Sequence, residues 1–546
     1  MSKMNFAIYY VGDGYSTDKK IMGRQSAGKA LMNGVARRWR DQDVHGFGSV
    51  HMSGQAMLRQ LKSDGFRGAL RWREAPGDRV LEDDLGAVYY PGPLTKEIAH
   101  RRNMRGPGVY SLFGVTHTLS SAVAMDLVSD LILPPFKPWD ALVCTSAAAV
   151  SVVTRLQEEL KAWYAEHLGA SRFNPIAMPV IPLGVNAPSF ARTENQIADA
   201  RSALGLGADE VAFLFAGRKA FHAKANPTAF YQAVEEAQAK TSKTLVCVEA
   251  GVYANAAAAP AYEQARRALA PNVRFLEIDG RDEGRYHQAW KAADVFVSLS
   301  DNIQETFGIT PLEAMAAGLP VLVSDWDGYK DTVRDGMDGY RIPVTLPPTG
   351  SGVDLARRHA DGVDSYDYYI GRTSMATAVD HDMLVERIVT LADDPSLRRQ
   401  LGQTGRARAM ADYDWPVILD RYVELVDELN LIRRAAGKGT PESWALRPDP
   451  FALFADYPTH TLGDDWKAGL RPAFAGAVEQ YLELGVARYA IDPALTPRET
   501  VLEVLKAVES GTESVGDLVG HDPATRPSRM RALMWLAKLN LVTLKP

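Results

Sequence analysis

The sequence predicts an α/β protein of several domains built on parallel sheets, and three observations predict it. At 546 residues the chain is too long for one core and should divide into about two to four domains. Near-continuous apolar runs, such as Val211-Ala212-Phe213-Leu214-Phe215-Ala216, suit strands buried on both faces of a sheet. Residues 300–323 read as loop, helix and strand in succession. Ile309, Leu312, Met315 and Ala316 recur at helical spacing, with Pro311 tolerated in the first turn. Gly318 and Pro320 then end the helix, and Val321-Leu322-Val323 reads as a buried parallel strand.

Composition narrows the class. Apolar residues make up 46% and charged residues 23%, as in ordinary globular proteins. The formal charge of −6 argues against a nucleic-acid-binding protein. Cys144 and Cys247 sit in apolar, strand-like runs, as reduced core residues of a cytoplasmic protein would. The apolar stretch at residues 5–11 is broken at once by Gly12-Asp13-Gly14, which does not suit a signal peptide. No run reaches the roughly 18 apolar residues of a membrane span.

The 300–323 unit also carries chemistry. Glu305 lies in the loop before the helix and Glu313 inside it. Amides at Phe307, Gly308, Ile309 and Thr310 face outward from the helix start, an arrangement that favours an anion. Two carboxylates beside an anion site suit a ligand with both phosphates and hydroxyls, such as a nucleotide sugar. Glu305-Thr306-Phe307-Gly308 and Glu313-Ala314-Met315-Ala316-Ala317-Gly318-Leu319-Pro320 resemble the E-x7-E signature of retaining GT-B glycosyltransferases of family 4 (glycosyl transferases group 1). The resemblance covers about residues 5–435.

In chain order, residues 5–11 read as the first strand, followed by a glycine-rich loop and a helix from Ser26 to Arg40. Gly23-Arg24-Gln25-Ser26-Ala27-Gly28-Lys29-Ala30 nearly spells a P-loop. However, Ala30 lacks a hydroxyl for magnesium, and the strand ends too early. The family has a glycine-rich loop here that faces donor and acceptor, and Gly23 is the matching residue. Residues 87–90, 109–115 and 140–146 read as further strands. Thr116-His117-Thr118 follows the second of these, at the carboxyl end where ligands bind in open α/β sheets. The family places a His there near the transferred sugar; otherwise His117 is a hydrogen-bonded structural residue. Residues 180–186 close the first domain and resemble the family's interdomain Ile-Pro-x-Gly-Val segment.

The second domain begins near Ala191. Its first strand runs into Gly217-Arg218-Lys219-Ala220-Phe221-His222-Ala223-Lys224, whose cations suit a diphosphate. Arg218 and Lys224 match the family's clamp. The spacing is one residue longer than usual, which leaves Lys219 as an alternative second contact. Strands follow at 244–249, 272–278 and 294–299, with a base-contacting loop expected at 279–286. Asp325-x-Asp327 has the spacing of a metal motif, but the same spacing recurs at Asp41/Asp43, Asp380/Asp382 and Asp412/Asp414, so no metal site is assigned. Residues 336–340 read as a turn and 344–380 as an inserted loop. Residues 383–393, 396–410 and 415–431 read as helices; in the family the last crosses back onto the first domain.

Beyond the resemblance, residues 436–472 read as a linker. Residues 498–510, 515–519 and 526–539 read as helices, followed by a short strand at 541–544, as in a small winged-helix-like module. Arg526, Arg529, Arg531 and Lys538 could face phosphate, but Glu503, Glu509, Glu513 and Asp517 offset them. A packing or dimerisation module is therefore expected.

The resemblance implies a GT-B fold: two facing Rossmann-like domains, 1–190 and 191–435, with a deep cleft between them, then the 436–472 linker and the 473–546 appendage. It implies retaining transfer of a hexose-type sugar from a nucleotide-diphosphate donor to a hydroxyl acceptor, a saccharide or lipid-linked glycan, in polysaccharide or glycoconjugate assembly. His117, Glu305, Arg218 and Lys224 would be catalytic. Gly23, Arg218, Lys224, Glu305, Phe307, Gly308, Ile309, Thr310 and Glu313 would bind the donor. No cofactor, metal or nucleic-acid partner is expected. The expected location is the cytoplasm, with peripheral association at the inner membrane face and homo-oligomerisation through the appendage as further expectations. The rival readings are a nucleotide-binding regulator with a DNA- or protein-docking C-terminal module, and a P-loop phosphotransferase using Lys29.

Overall fold

Two six-stranded, all-parallel sheets organise the first 444 residues of the computed structural model, which describes residues 2–15, 23–48, 51–74, 85–474 and 478–546. The first sheet comprises β1 (Phe6–Tyr9), β2 (Val44–Gly48), β3 (Leu70–Glu74), β4 (Ala87–Tyr89), β5 (Ser111–Val115) and β6 (Ala141–Val143). Its spatial order is β3-β2-β1-β4-β5-β6. The second comprises β7 (Glu210–Ala216), β8 (Thr244–Gly251), β9 (Arg274–Asp279), β10 (Val295–Ser298), β11 (Val321–Ser324) and β12 (Gly339–Ile342), ordered β12-β11-β10-β7-β8-β9. Read from its own first strand, each sheet has the same doubly wound order, with a switch point beside that strand. This is the pair of Rossmann-like domains of a GT-B fold.

Strands with continuous apolar runs sit centrally; β5, β10 and β11 are buried along their whole length. The strands that escaped sequence reading have physical reasons to do so. In β2, Val-His-Gly-Phe-Gly carries two glycines, because a Cβ at Gly46 would lie 2.9 Å, and one at Gly48 2.6 Å, from the Trp72 ring. β3 is a charged edge strand, Leu-Arg-Trp-Arg-Glu. β12 follows directly on the turn expected at 336–340, so only the start of that stretch is a turn.

The glycine-rich loop expected at Gly23, with a helix only from Ser26, is corrected by the backbone. Gly23 to Ala30 forms the first two turns of a helix, Gly23–Arg38, and not a loop wrapped around phosphate. The residues between Tyr15 and Gly23 lie outside the described ones.

The helix Trp415–Ala436 returns to the first domain. Arg37 donates to both oxygens of Asp414 at 2.9 and 2.6 Å, and Arg38 donates to Asp420 at 2.6 Å. Tyr422 packs among Phe6, Tyr89 and Phe113. The first domain is also pinned internally by the fully buried Arg102–Asp140 pair. Its two bonds are 2.9 and 2.8 Å, and Asp140 also accepts from the Leu112 and Lys137 amides. Asp140→Ala would strand a buried guanidinium and should cost about 3–5 kcal/mol, read as a lower denaturant midpoint with an unchanged slope.

Ala445–Pro546 forms a separate compact unit. Residues 467–470, expected in a linker, form β15 (Lys467–Leu470), which pairs antiparallel with β16 (Val542–Lys545). Helices Arg498–Glu509, Val515–Val519 and Arg526–Lys538 enclose Val501, Val504, Leu518, Leu533 and Leu536. The three arginines expected to face phosphate are consumed internally: Arg526 bonds the Gly520 carbonyl and Asp464, Arg529 the Leu518 carbonyl and Glu503, and Arg531 the Leu495 carbonyl and Thr496.

Among the described residues no helix is long and apolar enough to cross a membrane. Cys144 and Cys247 are both buried and free.

Candidate active site

The site is assembled from three loops at the carboxyl ends of parallel strands. Residues 116–120 follow β5, 217–224 follow β7, and 299–308 follow β10. Glu305 lies at the centre. Lys224 Nζ donates to its Oε2 at 2.7 Å, and the Thr306 and Gly308 amides lie near enough to favour its charged form. Burial alone would push this carboxyl up, but Lys224 and the two amides outweigh it and hold Glu305 below the usual range. Of the amides expected to face an anion, that of Gly308 lies beside the protein's own carboxylate. The turn there demands glycine: Gly308 has φ +72°, and a Cβ would come within 2.0 Å of the Tyr329 ring. The helix beyond is short, Thr310–Ala316.

The two lysines of the clamp separate. Lys219 is fully buried, donates to Glu277 at 3.1 Å and lies 3.8 Å above the Tyr253 ring. It turns away from Glu305, whereas Lys224 turns toward it. Arg218 donates to Gln304 at 3.2 Å, which puts it on the same face.

Glu313 is half-buried inside the following helix, and burial raises it to about 7. Its charge also acts on Tyr286, whose phenol is raised first by burial and next by Glu313. Tyr286 belongs to the helix Glu283–Ala292, so the expected base loop at 279–286 is shorter, spanning 280–282.

His117 lies across the cleft. Its Nε2 is 3.1 Å from the Pro91 carbonyl, and its own carbonyl accepts from Thr306 Oγ1 at 3.0 Å. The Thr306 carbonyl in turn accepts from Ser146 Oγ at 2.9 Å; Ser146 caps the helix Ala147–Leu168. One residue beyond Glu305 thus touches both His117 and a helix start of the first domain. Gly23 begins the helix Gly23–Arg38.

Sequence reasoning missed three residues at the site. Asp327, read there only as half of a doubtful metal motif, has φ +38°, uncommon for a non-glycine residue. Its Oδ2 is buried without a protein partner. Burial and then the Glu305 charge push its carboxyl well up. The neighbouring Asp325 instead pairs with Arg341 at 3.3 Å. Asp301 is buried, accepts from the Asn226 amide at 3.2 Å and is raised to about 7 by burial. Tyr366, within the insertion, reaches Ser120 at 2.9 Å. The sequence marks Asp327 only through the Asp-x-Asp spacing, and nothing in it marks Asp301 or Tyr366.

Residues 210–350 match the family model of glycosyl transferases group 1. The match lies within the second domain, from β7 to the start of the insertion after β12. Over 161 residues the chain is 32% identical to a phosphatidyl-myo-inositol mannosyltransferase of Mycobacterium tuberculosis, covering 29% of this chain and 33% of that protein. Over 201 residues it is 32% identical to a D-inositol 3-phosphate glycosyltransferase of Streptomyces scabiei, covering 35% of this chain and 44% of that one. The chain therefore matches less than half the length of these relatives. It is also similar to the Anabaena protein HepE in complex with UDP-glucose, at 15% identity and a TM-score of 0.46, over 78% of this chain and 99% of that one.

Proposed function

We propose that the chain is a retaining glycosyltransferase that moves a hexose from a nucleoside-diphosphate donor to a hydroxyl acceptor without a bound metal. The observation that carries this reading is the Lys224–Glu305 pair, 2.7 Å apart, with Glu305 next to the Thr306 side chain that donates to the His117 carbonyl, within residues that match the group 1 family model. In transfer, the bond from the anomeric carbon to the phosphate oxygen breaks, the acceptor oxygen bonds that carbon, and the acceptor proton passes to the departing phosphate oxygen. Charge develops on the departing diphosphate, where Arg218 and Lys224 would meet it. Glu305 would orient a sugar hydroxyl, Glu313 the ribose hydroxyls, and His117 the sugar from the opposite domain. Retention is part of the proposal and is supported by the resemblance of the Glu305–Glu313 spacing to the family's E-x7-E signature. UDP-glucose bound to HepE and the mannosyl and inositol chemistry in the relatives' names support a nucleotide-sugar donor and a glycan or lipid-linked acceptor. Action in the cytoplasm, at a membrane surface, belongs to the same proposal. The DNA-docking alternative is weakened because Arg526, Arg529 and Arg531 of the C-terminal unit bond within it.

A thermal-shift panel of UDP, GDP, ADP and CMP tests the donor site. A ligand at about 100 times its dissociation constant adds about 2.7 kcal/mol, and one diphosphate should stand out from the rest. Four flat responses would contradict the reading.

The raised carboxyl of Glu313 adds a pH signature. Hydroxyls donating to Glu313 favour its ionised form, and in the free protein that form is populated only above about 7. Nucleotide affinity should therefore strengthen between about pH 6 and about pH 8. Glu313→Gln should remove that dependence, as titration calorimetry at several pH values would show.

A further inference from the structure

The insertion at residues 344–380 is an ordered element. It leaves after β12 through a small hairpin, β13 (Val344–Thr345) paired with β14 (Ala378–Val379), and carries helices Val353–Ala360 and Tyr366–Ser374. Asp364 fixes the turn before the second helix by accepting from Arg358 at 3.0 Å and from Arg372 at 2.6 Å. His359 stacks on Tyr369 with ring centroids 4.6 Å apart.

That second helix touches both sides of the cleft. Tyr366 and Ile370 are four residues apart and so share one helical face. Ile370 is fully buried against Ala220 and Ala223, which lie between Arg218 and Lys224. Asn302 ties the same place by donating to the His222 carbonyl at 2.7 Å and the Ile370 carbonyl at 3.4 Å. One turn away, the Tyr366 hydroxyl lies 2.9 Å from Ser120 Oγ and 3.2 Å from Thr118 Oγ1, which are 3.2 Å from each other. This closed ring of three hydroxyls joins the second domain to the loop that carries His117.

We propose that Tyr366 is a positioning residue, a latch that sets the His117 loop against the Arg218–Lys224 loop during sugar transfer. This rests on the transferase reading above. The packing side of the latch, Ile370, fixes the insertion to the donor loop. The hydroxyl side holds the first domain at the distance transfer requires. Domain approach in this chain is thus set by an element outside both sheets, in addition to the Thr306–His117 contact.

Tyr366→Phe in the full chain keeps the ring and removes only the hydroxyl. Hydrogen exchange of residues 117–121 should quicken, while nucleotide affinity stays within about twofold. Turnover of the nucleotide sugar should fall about three- to tenfold, the worth of one to two hydrogen bonds. Ser120→Ala should produce the same fall, and the double variant should show no further loss, because both changes open one ring. Unchanged exchange at 117–121 would overturn the latch. Faster exchange with full turnover, or additive losses, would overturn its part in transfer. If the unaltered protein turned over no nucleotide sugar, the transferase reading would fall, and the exchange comparison would still decide whether the latch exists.

Discussion

Lys224→Met should lower sugar transfer by about 10²–10³, the usual loss when one preorganised donor to a developing charge is removed. The expectation rests on placement. Lys224 is the cation that turns toward Glu305, whereas Lys219 is buried against Glu277 and Tyr253. The same change leaves Glu305 without its main counter-charge in a buried position, so its carboxyl should rise from its present lowered state. The pH profile of the variant should therefore shift upward on its acid side. Lys224→Arg keeps the charge and should recover part of the rate. The measurement is single-turnover transfer, with nucleotide affinity determined in parallel. Full activity in a folded Lys224→Met protein would remove Lys224 from the chemistry.

Glu313→Ala should weaken nucleotide binding by about 1.5–3 kcal/mol, or about 10- to 150-fold in dissociation constant. Glu313 is half-buried and its carboxyl is raised by burial alone, with no protein hydrogen bond contributing to the shift. A ligand hydroxyl is the partner this account supplies. The free protein should be slightly more stable after the change at neutral pH. A carboxyl raised in the folded state holds a proton that the unfolded chain releases, so it lowers stability as pH rises from about 4.5 to about 7. Weaker nucleotide binding combined with a steadier fold would distinguish a binding role from a structural one. Calorimetry and thermal melts on the same samples read both.

Legibility in the sequence followed burial. β7, β10 and β11 are nearly continuous apolar runs and were read to within a residue or two. β2 and β3 were not read, because glycines that admit the Trp72 ring and the charges of an edge strand disguise them. The helices of the 344–380 insertion are short and polar, and the first has no buried residue, so no apolar period marks them. Within the site, Arg218, Lys224, Glu305 and Glu313 were visible because each lies beside an apolar strand or inside a local motif. The choice between Lys219 and Lys224 was not visible: it depends on Glu277 and Tyr253, which reach Lys219 only through the β7-β8-β9 arrangement. The contacts across the cleft, Thr306 to His117 and Tyr366 to Ser120, join residues roughly 190 and 250 positions apart. No local pattern encodes them. Asp327 was visible only as part of a spacing, since its backbone conformation and its buried oxygen are tertiary facts.

If the proposed function holds, this cleft breaks the bond between a sugar and a nucleoside diphosphate. The most direct measurement is release of nucleoside diphosphate from UDP-, GDP- and ADP-hexoses by the full chain, with and without added saccharide or lipid-linked acceptors. Release is expected from one donor class, faster with an acceptor, and strongly reduced in Lys224→Met. No release from any donor by a folded protein that binds the matching diphosphate would contradict it.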